Sequence, residues 1–199
     1  MHDLSDFSAS RRYTEALAVA LHERDPYTSL HCDRVIALSM ELGAACDLSR
    51  SELGMLAVSA SFHDIGKIGI PDHVLRKPGG FTPEEWEIMK THPARGERIL
   101  RATLLPDAGA IGAVVRHHHE HFDGSGYPDG LARQEIPLMS RILSVADSYD
   151  AMASSRVYHH KRTHDEILAV MHTEVSSKFD PSVFEQFARV IERSASRAQ

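Results

Sequence analysis

Apolar residues recur along most of this chain at steps of three and four, the spacing of one face of an α-helix. Residues 9–24 carry Tyr13, Leu17, Ala20 and Leu21 on one face, and residues 28–46 carry Val35, Leu38, Leu42 and Ala45. The same spacing runs through Leu53, Leu56, Ala57 and Ala60 in residues 51–65, and through Ile111, Val114 and Val115 in residues 106–121. In residues 138–153 it runs through Met139, Ile142, Leu143 and Ala146. Thr82-Pro83-Glu84-Glu85 has the form of a capping box with proline at the first helical position, and opens a helix through Trp86 and Met89. Thr163-His164-Asp165-Glu166 repeats that signature before Ile167, Val170 and Met171, and Asp180-Pro181 opens a last helix through Phe184, Phe187 and Ile191. Period-two alternation is nearly absent, so the pattern predicts an all-α fold. Residues 66–81 and 122–137, rich in Gly and Pro, are the expected long loops. With no repeat and no linker, the chain reads as one globular domain, residues 25–199, preceded by a lead-in helix over residues 1–24.

The apolar stripes end in an unusual way. Leu53, Leu56, Ala57 and Ala60 continue into His63 and Asp64; Ile111, Val114 and Val115 continue into His118 and His119. The stripe ending at Ala146 continues into Asp147, His92 lies on the face leading to Ile99, and His31 begins the stripe of its own helix. Five helix faces thus lead inward to residue types that bind metals. A single core histidine is ordinarily a hydrogen-bonded packing residue. A buried carboxylate, however, is strongly disfavoured unless paired, hydrogen-bonded or metal-bound, and seven such groups converging on one core need a common partner. Imidazole and carboxylate together suit Fe, Mn, Zn or Ni, and do not suit Ca.

Composition narrows the function classes. A chain of 199 residues is long enough for a sizeable core. The net charge of −6 and pI of about 6.1 argue against binding of a DNA or RNA polymer, which needs a basic face. No apolar run is long enough to span a membrane, and the polar N-terminus lacks the core of a signal peptide. Cys32 and Cys46 make no disulfide framework, which fits a reducing, cytoplasmic setting, and both are read as packing residues. Histidine is the outlier: 14 residues, dispersed along the chain rather than gathered in a tag.

The segment "SFHDIGKIGIPDHVLRKPGG", Ser61 to Gly80, resembles the signature of HD-domain phosphohydrolases. Together with "HHEHFDGSGYPDG" and "VADSYDAMASSRVY" it resembles the HD-GYP subfamily, the bacterial cyclic di-GMP phosphodiesterases, from about Asp25 to about Phe187. The resemblance implies a five-helix HD core extended by further helices and a GYP loop. It also implies a metal-dependent hydrolase that converts cyclic di-GMP to linear pGpG, and slowly onward to GMP, with a hydroxide bridging two metals. The metal ligands it implies are His31, His63, Asp64, His92, His118, His119 and Asp147, the set reached above from the stripes. Asp64 would bridge the metals and, with Lys67 facing the phosphate, form the catalytic centre. Arg156, Tyr127, Asp123 and Gly124 would contact or frame the substrate, and Glu120 would orient an imidazole from behind. Iron or manganese are the expected ions, with zinc, nickel or cobalt also compatible. Two such ions about 3.5–4 Å apart suit in-line displacement at phosphorus.

Two positions depart from the family pattern. Tyr27 stands where some members carry a glutamate that helps hold a third metal, so a binuclear site is expected. His159 stands where a second basic phosphate contact is common, which weakens the case for that contact. His117 falls off the apolar stripe and is read as exposed or as a support for the ligands. Beyond the cyclic dinucleotide, the resemblance implies diguanylate-cyclase domains as partners of the GYP surface and leaves room for a homodimer. Two other readings remain open from the sequence: hydrolysis of a different nucleotide by the same HD chemistry, and a non-catalytic interaction module.

Overall fold

The computed structural model describes residues 19, 23–24, 28–103, 105–154 and 162–198. They form helices α1 (Thr28–Ala45), α2 (Arg50–Phe62), α3 (Asp72–Leu75), α4 (Pro83–Met89), α5 (His92–Arg101), α6 (Ala108–Arg116), α7 (Leu138–Ala153), α8 (His164–Thr173) and α9 (Pro181–Ile191). Short 3-10 turns cover Ile65–Gly69 and Arg133–Glu135. The described residues hold no strand, only an isolated bridge between Val175 and Phe179, so the expected all-α fold is the fold observed. The lead-in helix expected over residues 1–24 lies almost wholly outside the described residues, as do Tyr27, Arg156 and His159.

Local chemistry sets the helix starts. Glu85 Oε2 accepts from the Thr82 N–H at 2.7 Å while Thr82 Oγ1 accepts from the Glu85 N–H at 3.3 Å, the reciprocal bonds of a capping box. Thr163 and Glu166 do the same for α8, and Ser49 and Glu52 for α2. Asp180 Oδ1 accepts from the Ser182 N–H at 2.8 Å and caps α9. The helix ends differ from the periodicity. α2 stops at Phe62 and α6 at Arg116, so His63, Asp64, His118 and His119 lie in the turns just beyond rather than inside the helices. Residues 66–81, read as loop, contain part of the 3-10 turn and α3.

The largest core cluster joins Val35, Leu38 and Leu42 of α1 with Leu56 and Ala60 of α2, Val114 of α6, Ile142, Leu143 and Ala146 of α7, and Phe184 and Phe187 of α9. A second cluster joins Phe62, Ile65, Leu100, Ile111 and Val115. Ala60 and Val114 belong to the first and Phe62 and Val115 to the second, so the titratable residues that follow both segments leave the seam between the two. Close backbone approach fixes the seam. A Cβ on Gly66 would stand 1.8 Å from the His92 carbonyl oxygen and 2.6 Å from the Gly96 nitrogen, so only glycine lets the turn after Asp64 meet the start of α5.

Cys32 and Cys46 are free thiols. Burial pushes Cys32 up to about 12 and raises Cys46 as well, which suits packing residues. No helix among the described residues is long and apolar enough to cross a membrane.

Candidate metal centre

Three histidines are aimed by the ends of helices. His63 Nδ1–H donates to the Ala60 carbonyl at 2.7 Å, His92 Nδ1–H to Met89 at 2.9 Å, and His118 Nδ1–H to Val115 at 2.6 Å. Each acceptor lies three residues back, at a helix end where carbonyls have lost their helical partner. A carbonyl can only accept, so each Nδ1 carries the proton and each Nε2 presents a lone pair. All three Nε2 atoms are buried without a hydrogen-bond partner. An unsatisfied buried polar atom costs about 1–3 kcal/mol, so three such lone pairs in one region call for a partner, and divalent cations can supply it.

His31 is aimed differently. It sits in the first turn of α1, where the carbonyl three residues back belongs to the helix, and needs a partner from elsewhere. Asp150 of α7 supplies it: His31 Nδ1 lies 2.7 Å from Asp150 Oδ2. Asp150 is held in turn by Arg34, whose Nε donates to Oδ1 at 2.6 Å, and Arg34 also reaches Ser154 Oγ at 2.7 Å. His31 Nε2 then faces Asp147 Oδ1 at 3.1 Å. Asp147 and Asp150, three apart on α7, thus grip the two nitrogens of one imidazole. Such a carboxylate behind a ligating imidazole fixes its tautomer and orientation. Asp150 and Arg34 do not stand out in the hydrophobic pattern, although each lies three residues after a candidate ligand on the same helix face.

The donors form two groups. The ligand atoms of His31, His63 and Asp64 lie within 4.8 Å of one another, and so do those of His92, His118 and His119. Asp64 faces both: its Oδ2 is 3.5 Å from His63 Nε2 and its Oδ1 is 3.5 Å from His92 Nε2. Asp147 Oδ1 lies 3.7 Å from His63 Nε2 and so joins the first group. Two ligands each about 2.1 Å from one ion and 90–110° apart would be separated by about 3.0–3.4 Å. The observed separations run from 3.1 to 3.7 Å, at that window or a few tenths of an ångström beyond it, close enough for the same side chains to share ions. All seven sequence candidates are therefore brought together, and their N/O chemistry suits divalent transition metals.

Electrostatics keep most of these groups in ligand form. Burial, reinforced by His63 and His92, lowers His118 to about 3. Burial also lowers His92 and, with His118 and His92 alongside, takes His119 well below the ordinary range. Burial opposes charge on Asp64, but Lys67 and the imidazoles outweigh it and hold the carboxyl well below its usual range. Asp147 follows the same logic through His31 and His63. His31 is the exception: burial disfavours its proton, yet the hydrogen bonds to Asp147 and Asp150 raise it to about 9.

The rim is built by Lys67 and the loop after α6. Lys67 Nζ donates to Asp64 Oδ2 at 2.7 Å, which places a cation beside the ligands. Tyr127 packs its ring 5.0 Å from that of His119, and its N–H donates to the His119 carbonyl at 3.1 Å. Burial raises the Tyr127 hydroxyl above its usual range. The Tyr127–Pro128 bond is cis. Gly126 lies so close to residues 120–121 that a Cβ would stand 2.2 Å from the His121 nitrogen. Asp123 Oδ1 accepts from the Ser125 N–H at 2.9 Å, and Gly124 adopts φ 86°, so both act in forming the turn.

Two expectations change. Glu120 is buried, but it does not orient an imidazole: its Oε1 accepts from the Asp129 N–H at 2.7 Å and pins the exit of the loop. His117 is not exposed; its Nε2 lies 3.0 Å from Asp129 Oδ2, away from both donor groups. Arg116 donates from Nε to Asp129 Oδ2 at 2.6 Å and from a terminal nitrogen to Oδ1 at 2.7 Å. His117, Glu120 and Asp129 also come within 4.8 Å of one another, but the Asp129 oxygens are occupied by Arg116 and His117, so the group reads as a clamp on the loop.

Comparisons with known proteins identify the family. The HD domain family matches residues 15–183. A cyclic di-GMP phosphodiesterase of Thermotoga maritima is 40% identical over 176 residues, covering 88% of this chain and 48% of that protein. A 3'3'-cGAMP-specific phosphodiesterase 2 of Vibrio cholerae is 35% identical over 185 residues, covering 93% of this chain and 35% of that protein. The solved structure of a cyclic GMP-AMP specific phosphodiesterase of V. cholerae superposes with a TM-score of 0.69 at 21% identity, covering 92% of this chain and 49% of that one, which shows a shared fold. The chain spans half or less of the length of these relatives. By the family match, by the relatives and by the motifs already placed at the site, this chain belongs to the HD domain family and to its HD-GYP branch.

Proposed function

We propose that this chain is a metal-dependent phosphodiesterase that hydrolyses cyclic di-GMP to linear pGpG, with GMP as a slower further product. The observation that carries the reading is the pair of donor groups joined through the two oxygens of Asp64. His31, His63 and Asp147 would hold one divalent ion, His92, His118 and His119 the other, and Asp64 both. Iron or manganese are the preferred ions. Divalent ions there supply an activated water and Lewis acidity toward phosphoryl oxygens.

The chain's own residues do the rest. Lys67 sets a positive charge beside Asp64, where it can stabilise charge developing on the phosphoryl oxygens. Tyr127, seated on His119, walls the site on the loop side. Arg156, outside the described residues, is assigned a contact to a substrate phosphate. The relatives named as cyclic di-GMP phosphodiesterases support this substrate. The relatives named for 3'3'-cGAMP favour a second reading, in which a mixed cyclic dinucleotide is cut by the same groups.

The test is a substrate panel on purified protein loaded with iron or manganese: cyclic di-GMP, 3'3'-cGAMP, cyclic di-AMP and p-nitrophenyl phosphate. Consumption of cyclic di-GMP with release of pGpG is expected. Survival of cyclic di-GMP while another member is consumed overturns the substrate assignment, and consumption of none overturns the activity.

A further inference from the structure

Among the described residues, the exposed large hydrophobics are Val19, Phe81 and Trp86, the last two 39% and 42% exposed. Trp86 and Met89 both lie on α4, but Met89 is buried while Trp86 is not. The two exposed rings are not scattered. Phe81 and Trp86 stack with ring centres 6.1 Å apart and planes 21° from parallel. Trp86 meets Tyr127 edge-on at 5.9 Å, and Tyr127 lies 5.0 Å from His119. Four rings from two segments, the start of α4 and the loop after α6, therefore form a continuous ladder from the His92–His118–His119 group to solvent.

Part of the ladder has a local cause. Phe81 precedes the N-cap Thr82 and Trp86 is the fourth helical residue, so their contact is a hydrophobic staple. The staple explains why these two rings touch. It does not explain why both are large aromatics left open to water, or why they continue into the loop residue seated on a donor of the site. The capping box of α4 and the bond from Lys77 to Glu85 hold the helix start from the polar side, so the exposed rings sit on a fixed support.

We propose that Trp86, with Phe81 behind it, is a stacking platform for a nucleobase of the cyclic dinucleotide, the inner rings leading to where its phosphodiester is cut. The assignment rests on the phosphodiesterase reading above. Every base has a π-face, so stacking confers affinity with little choice among bases. The platform therefore binds a purine without selecting guanine over adenine, and selection between cyclic di-GMP and 3'3'-cGAMP falls to other contacts.

Trp86 is the single tryptophan of the chain, so intrinsic fluorescence reports this position alone. Metal-loaded protein is titrated, with excitation at the red edge of the indole band, with GMP, cyclic di-GMP, 3'3'-cGAMP and ribose 5-phosphate. Saturable quenching by the three nucleotides and none by ribose 5-phosphate is expected. In turnover assays Trp86→Ala raises KM by roughly 10-fold or more, equally for both cyclic dinucleotides, with KM affected far more than kcat; Trp86→Phe recovers most of the loss and Trp86→Leu does not. Hydrolysis of cyclic di-GMP with no nucleotide quenching and an unchanged KM in Trp86→Ala overturns the platform and leaves the phosphodiesterase reading standing. Quenching by GMP without hydrolysis of any cyclic dinucleotide sustains the nucleobase site and overturns that reading instead. Loss of self-association in Trp86→Ala, seen by sedimentation with nucleotide binding intact, overturns the platform in favour of a protein contact. The wild-type titration decides the matter even if a variant fails to fold.

Discussion

His31 and the trio His63, His92 and His118 present the same atom to the same centre by different means. Each of the trio is oriented by a carbonyl of its own segment, three residues back, where a helix stops. His31 is oriented by Asp150, 119 residues away in sequence, and Asp150 by Arg34. The first arrangement is written into local backbone and follows from helix termination. The second exists only once α1 and α7 have docked. The comparison teaches that the aim of three of these four histidines is set by short-range structure and that of the fourth depends on the packed fold. It also divides the effects of mutation, because an orienting carbonyl cannot be removed by substitution whereas an orienting carboxylate can.

The largest effect is expected where the two donor groups meet. Asp64→Asn weakens the one group facing both donor clusters, and should take turnover to background with loss of bound metal, read by elemental analysis and a phosphodiester assay. Next comes the partner of His31. Asp150→Ala should weaken metal binding by about 10–100-fold with the fold intact, and Asp150→Asn, which can still accept from Nδ1–H, should lose less. Competition with a calibrated chelator measures both, and wild-type affinity in Asp150→Ala would erase the distinction between the two ways of aiming a histidine.

The pH dependence of stability separates the same two groups with opposite signs. His118, lowered by burial from 6.5 to about 3, takes up its proton more readily in the unfolded chain, so stability falls as the pH drops below about 6.5 toward 3. Asp64 and Asp147, held below 3.8, add to that acid limb. His31, where burial is outweighed by the hydrogen bonds to Asp147 and Asp150, is raised from 6.5 to about 9; its contribution is full below 6.5 and is lost as the pH rises toward 9. Chelator-treated protein should therefore show its highest Tm near pH 6.5 and a decline on both sides. Metal loading keeps His31 neutral and should remove the alkaline decline. The smallest effect belongs to the loop clamp. Glu120→Gln keeps an acceptor for the Asp129 N–H and should change KM less than about 3-fold, whereas Glu120→Ala should cost about 1–3 kcal/mol by leaving that N–H unsatisfied. Urea unfolding compares the two.

The helices and the seven gathered residues were legible because both depend on short-range pattern. Capping boxes at Thr82 and Thr163 and stripes such as Leu56–Ala60–His63 are visible within a dozen residues. The stripes ran past the true helix ends at Phe62 and Arg116, yet still pointed to the right residues, because a side chain in the first turn beyond a helix keeps roughly the direction of its face. What depended on distant segments was not legible. Asp150 looked like one more helical acid, Glu120 gave no sign that its partner is the backbone of Asp129, and nothing near Trp86 showed that its neighbour would be Tyr127, 41 positions on.

The proposed chemistry turns on two ions sharing Asp64. Its most direct test is metal content and cyclic di-GMP turnover measured on one reduced, iron- or manganese-loaded sample. Two metals per chain are expected, with turnover that rises as the second is filled. Three metals per chain, or full turnover from metal-stripped protein, would contradict it.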